Sequence, residues 1–91
     1  MSIVVRIPTP LRKLTEEKDV VSGEGETLLE CIDGLDRQYP GLKERLLDET
    51  QELRRFVNVY VNGEDVRFQH GVQTPLKGGD EVSIVPAVAG G

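Results

Sequence analysis

Apolar residues along the chain follow two spacings, one typical of β-strands and the other of an amphipathic helix. Two short runs rich in β-branched residues, 3–7 and 18–22, open the chain. Pro8 and Pro10 follow the first run, and the Gly-rich stretch 23–25 follows the second. Proline cannot donate to a sheet ladder and glycine favours turns, so both runs are bounded as strands. Together they predict an opening β-hairpin.

A helix is predicted between Thr27 and the Pro40-Gly41 pair. Thr27 followed by Glu30 is a capping-box pattern, in which hydroxyl and carboxylate accept unpaired amide hydrogens at a helix start. Gly34 lies inside the helix and indicates either close packing against the sheet or simple tolerance. A second, short helical segment is predicted at 42–47. The main helix carries one apolar stripe of 3.6-residue period, formed by Leu28, Ile32, Leu35 and Tyr39.

The second half of the chain predicts three more strands. Alternation of apolar and polar residues places them at 55–62, 66–68 and 81–85, the last ended by Pro86. Asn62-Gly63 is a favoured type I′ hairpin turn, and 77–80 is a second turn. A hairpin, one main helix and further strands define an α+β fold, with the helix covering one face of a mixed sheet of four to five strands.

The 91 residues leave room for one domain, predicted as residues 1–86 with a flexible tail at 87–91. A net charge of −5 is the wrong sign for binding nucleic acid or an anionic membrane. Cys31 is the only cysteine, so an internal disulfide is impossible. With neither a leader pattern nor a membrane-length apolar run, we expect a reducing, cytoplasmic location.

Candidate catalytic groups are few, and we expect a protein that is not an enzyme. A Cys31–His70 pair would join a residue in mid-helix to one in a loop, so Cys31 is better explained as a small buried hydrophobe. One cysteine and one histidine do not supply a zinc site. The carboxylates of Asp48, Glu49 and Glu52 lack calcium-loop spacing and indicate a solvated acidic face. The internal glycine pairs lack phosphate-loop spacing and predict turns.

The C-terminal residues carry the clearest chemical signal. Gly90-Gly91 follow closely on a predicted core strand, and such a pair is rare at average glycine usage. Without side chains, two glycines can enter a channel too narrow for a β-carbon and deliver the Gly91 carboxylate into another protein's active site. Ala87, Val88 and Ala89 form a small apolar tail that, with Gly90, a partner could grip along its backbone. An unordered terminus of small residues remains the alternative.

The order of elements and this ending resemble the ubiquitin-like sulfur carriers of the ThiS and MoaD family. The resemblance covers essentially the whole chain and is most specific in 76–91, where Gly-Asp-Glu-Val, a β run, a proline and Gly-Gly follow one another. The strand and return at 55–68 resemble most the branch of the family that serves cysteine biosynthesis. The resemblance implies a β-grasp fold, whose first and last strands pair in parallel at the sheet centre.

The resemblance also implies a mechanism and partners. An activating enzyme related to ubiquitin E1 would use MgATP to adenylate Gly91, and sulfur would then displace AMP to leave a thiocarboxylate. The carrier itself would bind no cofactor. In the cysteine branch, the thiocarboxylate would attack an activated serine derivative on a pyridoxal-phosphate-dependent synthase, and a metalloprotease would release cysteine. We expect the free carrier to be a monomer, with its acidic surface suited to basic rims on partner enzymes.

Other functions remain open at the level of sequence. The acceptor pathway could be molybdopterin or thiamine thiazole synthesis instead of cysteine. A ubiquitin-like modifier would join Gly91 to a target lysine, and a β-grasp interaction domain would carry its Gly-Gly incidentally. Phe56, Tyr60 and Phe68 are candidates for partner recognition if they lie on the sheet face away from the helix.

Overall fold

The computed structural model describes residues 2–86. Five strands form one sheet: β1 Ile3–Arg6, β2 Val20–Gly23, β3 Val57–Val61, β4 Glu64–Asp65 and β5 Glu81–Pro86. Two α-helices, α1 Leu28–Gln38 and α2 Leu42–Leu46, lie between β2 and β3. Three 3-10 helices, Thr9–Thr15, Val66–Phe68 and Gly71–Gln73, complete the described elements.

The sheet has the order β2-β1-β5-β3-β4, with β5 at its centre. β1 pairs antiparallel with β2 and parallel with β5, with Val5 opposite Val21 on one side and Val82 on the other. β3 pairs antiparallel with β5 and β4. The predicted opening hairpin, the mixed sheet and the parallel pairing of first and last strands are confirmed. This is a β-grasp fold with five strands.

Helix α1 packs its predicted stripe against one face of the sheet, and all four stripe residues are buried. Thr27 caps its start, because the Thr27 hydroxyl accepts the Glu30 amide hydrogen at 3.2 Å. The Glu30 carboxylate also accepts an amide hydrogen at the helix start, as predicted, but that of Glu26 and not that of Thr27 as in the usual capping box. At the far end, Asp36 joins α1 to α2 by accepting the amide hydrogens of Gly41 and Lys43, each at 3.1 Å.

The predicted return strand at 66–68 is wrong. The Asn62-Gly63 turn has positive φ at both residues, 52° and 88°, as a type I′ turn requires. This tight turn starts the return strand at once, and β4 is therefore Glu64–Asp65. The Asp65 side chain then accepts the Arg67 amide hydrogen at 2.9 Å, which turns the chain out of the strand into a 3-10 helix.

Two further stretches differ from their predictions. The connection between β1 and β2 contains the 3-10 helix Thr9–Thr15, and another 3-10 helix follows His70, although no helix is predicted in either stretch. Gly23 is the last residue of β2 and not part of a turn. A β-carbon at Gly23 would lie 2.7 Å from the Cys31 sulfur, so glycine lets β2 and α1 approach closely. Gly34 has no such contact, with Glu24 O 3.7 Å from a β-carbon there, and is simply tolerated.

Candidate functional site

The site that the sequence predicts is the end of β5, where the chain leaves the domain. β5 is the central strand and is paired along both sides, with β1 and β3. Val82 and Ile84 point into the core and are buried. Pro86, the last described residue, is still in register with Val57 of β3. The five residues that follow are thus attached to the most firmly held strand of the sheet, and fully extended they could reach about 16 Å.

The start of β5 is held by a polar network around Asp80. The Asp80 carboxylate accepts hydrogen bonds from the Asn62 side chain at 3.0 Å and the Lys77 amide at 2.9 Å. Asn62 Oδ1 in turn accepts the Glu81 amide hydrogen at 3.0 Å. Hydrogen bonds from Asn62 and from the Lys77 backbone hold the pKa of Asp80 below its ordinary value. The network fixes the β3–β4 turn against the start of β5 and so sets the direction of the strand.

The face of the sheet opposite α1, here called the outer face, is partly apolar. Its exposed apolar residues are Val4, Val20 and Val85, each close to 40% exposed. Arg6 and Glu81 form an ion pair on the same face. Val85 lies opposite Asn58 of β3 and directly precedes Pro86. It is therefore the apolar residue of this face nearest to the point where the tail leaves.

The three candidate recognition aromatics lie in different settings. Tyr60 is on the outer face, opposite Ser83 of β5, and is half-buried. Phe56 lies in the turn before β3, at the same end of the sheet as Pro86, and is 59% exposed. Phe68 is 86% exposed in a 3-10 helix. The sequence analysis did not identify the exposed valines of the outer face as candidate contact residues. In β5, for example, Ile84 and Val85 are both aliphatic, so the sequence does not show which of the two is buried.

The candidate catalytic residues form no reactive site among residues 2–86. Cys31 is buried, and desolvation raises the pKa of its thiol to about 11, so the thiol stays protonated. His70 is exposed on a loop. Asp48 closes a local turn, because its carboxylate accepts hydrogen bonds from Thr50 and Glu52 that lower its pKa. No group of three or more potential metal ligands occurs in the described part of the chain.

The predicted site residues themselves lie outside the described residues. These are Ala87, Val88, Ala89, Gly90 and the sulfur-accepting Gly91. Their roles, and the tail boundary at residue 87, stay predictions. Within 2–86, no helix has both the length and the apolar character needed to cross a membrane.

The β-grasp fold has its last strand at the centre of the sheet, and the sequence ends in Gly-Gly. These two features are those of the ubiquitin-like class of proteins. The chain matches the ThiS family model over residues 5–91 and belongs to that family.

Relatives of known name support a sulfur-carrier role. The chain is 50% identical to the sulfur carrier protein CysO of Mycobacterium tuberculosis over 93 aligned positions, which cover both chains completely. It superposes with a TM-score of 0.93 on a chain of the Amycolatopsis orientalis BexX/CysO complex, at 48% identity and covering 98% and 99% of the two chains. It is also 32% identical, over the full length of both chains, to small archaeal modifier protein 3 of Haloferax volcanii.

Proposed function

We propose that this chain carries sulfur as a thiocarboxylate on Gly91 and donates it in the biosynthesis of cysteine. The observation that carries the proposal is the full-length similarity to CysO, together with a Gly-Gly ending within five residues of the central strand. Residues 2–86 contribute no reactive side-chain site to this chemistry, and in this proposal the chain is a carrier and not itself an enzyme. Its part is to present a carboxylate on a tether and to be recognised.

The chemistry proceeds by activation and displacement. A carboxylate is a poor electrophile, so an E1-like enzyme transfers AMP from MgATP to Gly91 and releases pyrophosphate. Sulfide displaces AMP to give the thiocarboxylate directly. When the donor is a persulfide, its outer sulfur forms an acyl disulfide, and a thiol then cleaves the S–S bond to leave the thiocarboxylate. The carrier contributes only its terminal carboxylate to these steps, and MgATP binds to the partner.

Release of sulfur requires further partners. A pyridoxal-phosphate-dependent synthase supplies an activated serine derivative, and the thiocarboxylate sulfur becomes bonded to its β-carbon as the C–O bond breaks and the activating group leaves with the oxygen. An S-to-N acyl shift then leaves cysteine joined to Gly91 by an amide bond, and a metalloprotease hydrolyses that bond. The relative crystallised with BexX supports a protein partner for carriers of this type. Molybdopterin and thiamine thiazole remain the alternative acceptor pathways.

The test is the intact mass of the chain after incubation with MgATP, sulfide and its cognate activating enzyme. We expect a mass increase that maps to the C-terminal peptide and is absent from a Gly91-deleted control. Localisation is essential, because exchange of oxygen for sulfur adds nearly the same mass as one oxidation of Met1 or Cys31. An unmodified Gly91 under these conditions would refute the proposal. Cysteine bound to Gly91 after addition of the synthase and an activated serine would identify the acceptor.

The similarity to a small archaeal modifier favours one second candidate, a protein that modifies lysines. Both functions begin with the same adenylate and differ in the product. A modifier accumulates adducts of higher mass, joined through Gly91 to lysine side chains, whereas a carrier accumulates the thiocarboxylate. Mass analysis of proteins captured with the tagged chain from its native cells distinguishes the two.

A further inference from the structure

The two edges of the sheet are built differently. At one edge, β4 has only two residues and turns at once into a 3-10 helix, which leaves little strand for another chain to pair with. At the other edge, β2 runs over four residues, Val20–Gly23, without a proline. A groove of about 1020 Å³, lined by residues of both β2 and α1, runs beside this edge. β2 is therefore the edge at which an additional strand could be accommodated.

The ladder geometry shows which groups β2 presents at this edge. The Ile7 amide donates to Asp19 O at 2.8 Å, whereas the Val4 amide donates to Asp80 O, on the side of β5. Because neighbouring residues of a strand point their amides in opposite directions, the residues opposite Val4 and Arg6 face away from β1. These residues are Ser22 and Val20. Their amide and carbonyl groups point outwards, and no backbone group in residues 2–86 pairs with them across the edge.

Basic side chains line one end of the groove beside β2 and acidic side chains line the other, with Asp33 between them. Lys18 lies at the basic end, with its Nζ 6.0 Å from the centroid of the Tyr39 ring. Arg37, near the end of α1, is exposed and lines the same groove. Lys18 is also 3.7 Å from Glu16, in an exposed pair that constrains it weakly. Glu24 and Glu30, both exposed, line the opposite end. A twofold axis across β2 would place each basic end against the acidic end of a second copy.

We propose that β2 pairs antiparallel with β2 of a second copy of this chain, which forms a reversible dimer at high concentration. In this register, Val20 of each chain faces Ser22 of the other, and the two Val21 residues meet at the twofold axis. Four backbone hydrogen bonds form, two for each Val20–Ser22 pair. Lys18 of each chain lies opposite Glu24 of the other. Symmetry supplies this match of charges, which an unrelated peptide would supply only by chance.

The dimer leaves the end of β5 accessible and is compatible with a monomeric carrier at low concentration. β2 is separated from β5 by β1, so the pairing uses neither β5 nor the exit of the tail. A contact of one short strand is far smaller than a standard stable interface and dissociates on dilution. The pairing does not depend on the proposed sulfur chemistry, since it involves only β2 and the side chains beside it.

Sedimentation equilibrium from about 10 µM to about 1 mM, at near-physiological salt, tests the pairing. We expect a monomer–dimer equilibrium, which Lys18→Glu or Glu24→Lys each weakens about tenfold because both ion pairs become repulsive. The double variant Lys18→Glu/Glu24→Lys restores association to within about threefold. Glu64→Lys, on β4, is the matched control and leaves association unchanged. A chain that stays monomeric throughout, or a double variant as weak as the single ones, would overturn the inference and leave the edge to a strand of another protein.

Backbone measurements test the pairing without relying on charge. Ser22→Pro removes an outward amide hydrogen but none of the bonds to β1, and we expect it to abolish the dimer. Hydrogen exchange on the unmodified chain supplies the same information if that variant does not fold. The amides of Val20 and Ser22 become protected as concentration rises, whereas the Val21 amide, which faces β1, does not change. Equal exchange of Val20 and Ser22 at low and high concentration would contradict the proposal.

Discussion

At the scale of single residues, burial decides whether a reactive group is available. Cys31 has the most reactive side chain in the sequence, yet its sulfur lies beneath β2, where a β-carbon at Gly23 would come within 2.7 Å of it. Desolvation without a neighbouring cation raises the pKa of the thiol to about 11, the reverse of what a nucleophilic cysteine needs. The thiol therefore serves packing, and the proposed chemistry uses the terminal carboxylate instead.

Replacing Cys31 separates these two roles. Cys31→Ser buries a hydroxyl among apolar side chains, and we expect it to lower the free energy of unfolding by about 1–3 kcal/mol. Urea unfolding measures this loss. The extent of sulfur loading at Gly91, measured by mass, should equal that of the unmodified chain.

Thiol labelling is the control for the cysteine prediction. The native chain should react with iodoacetamide far more slowly than the unfolded chain, because Cys31 is both buried and protonated. A Cys31→Ser variant that folds but no longer accepts sulfur would contradict the structural role.

At the scale of elements, α1 shows how local signals and tertiary contacts combine. The cap at Thr27 and the apolar stripe could be predicted from spacing, because both depend on residues within a few turns of one another. The role of Gly34 could not, since the choice between close packing and tolerance depends on what lies beside the helix. The nearest atom outside the helix, Glu24 O, would be in ordinary contact with a β-carbon at 3.7 Å.

We therefore expect Gly34→Ala to stabilise the chain. Alanine loses less backbone entropy than glycine on forming a helix, which favours folding by about 0.5–1 kcal/mol. Gly25→Ala is the opposing control, because Gly25 has a φ of 156° and its β-carbon would lie 2.7 Å from the Cys31 nitrogen. Measured by chemical denaturation, the free energy of unfolding should be higher for Gly34→Ala and lower for Gly25→Ala than for the unmodified chain. A destabilised Gly34→Ala variant would mean that α1 packs more tightly there than the distances indicate.

At the scale of the whole molecule, strand order places an exposed apolar side chain next to Pro86, the last described residue. Val85 and Val20 are equally exposed on the outer face, at 41% and 40%. Val85 lies next to the exit of the tail on the central strand, whereas Val20 is on the edge strand β2. An enzyme that takes Gly91 into its active site must cover the surface around the exit. Val85 is therefore expected to be in that contact and Val20 outside it.

Glutamate substitutions at these two valines test the contact. Val85→Glu should slow sulfur loading by the activating enzyme about tenfold, because a charge buried at an interface without a partner is costly. Val20→Glu, with the same change in net charge, should slow loading less than about twofold. Both are measured as initial rates at low micromolar carrier. Equal rates for the two variants would show that the enzyme does not cover the exit surface.

Much of the fold could be predicted because its signals are local. The alternation in β3 and β5, the type I′ turn at Asn62-Gly63 and the stripe of α1 each lie within one short segment. The return strand was predicted at the wrong residues because a tight turn and a side-chain hydrogen bond together set its start and its end within a few residues. The turn starts β4 at Glu64, and the Asp65 side chain then ends it. Alternation alone cannot show where a side-chain hydrogen bond stops a strand.

The sequence by itself determined the two α-helices, four of the five strands, the single small core, the net charge and the Gly-Gly ending, since these depend on composition and short-range spacing. Only the tertiary structure decided which residues of each strand face outwards, because both faces of β5 carry aliphatic side chains. It also placed the unpaired edge at β2 and confirmed β5 as the central strand, a position that the family resemblance implied but that spacing along the chain does not give. These are properties of strand order, and strand order arises from contacts between residues that lie far apart in the chain.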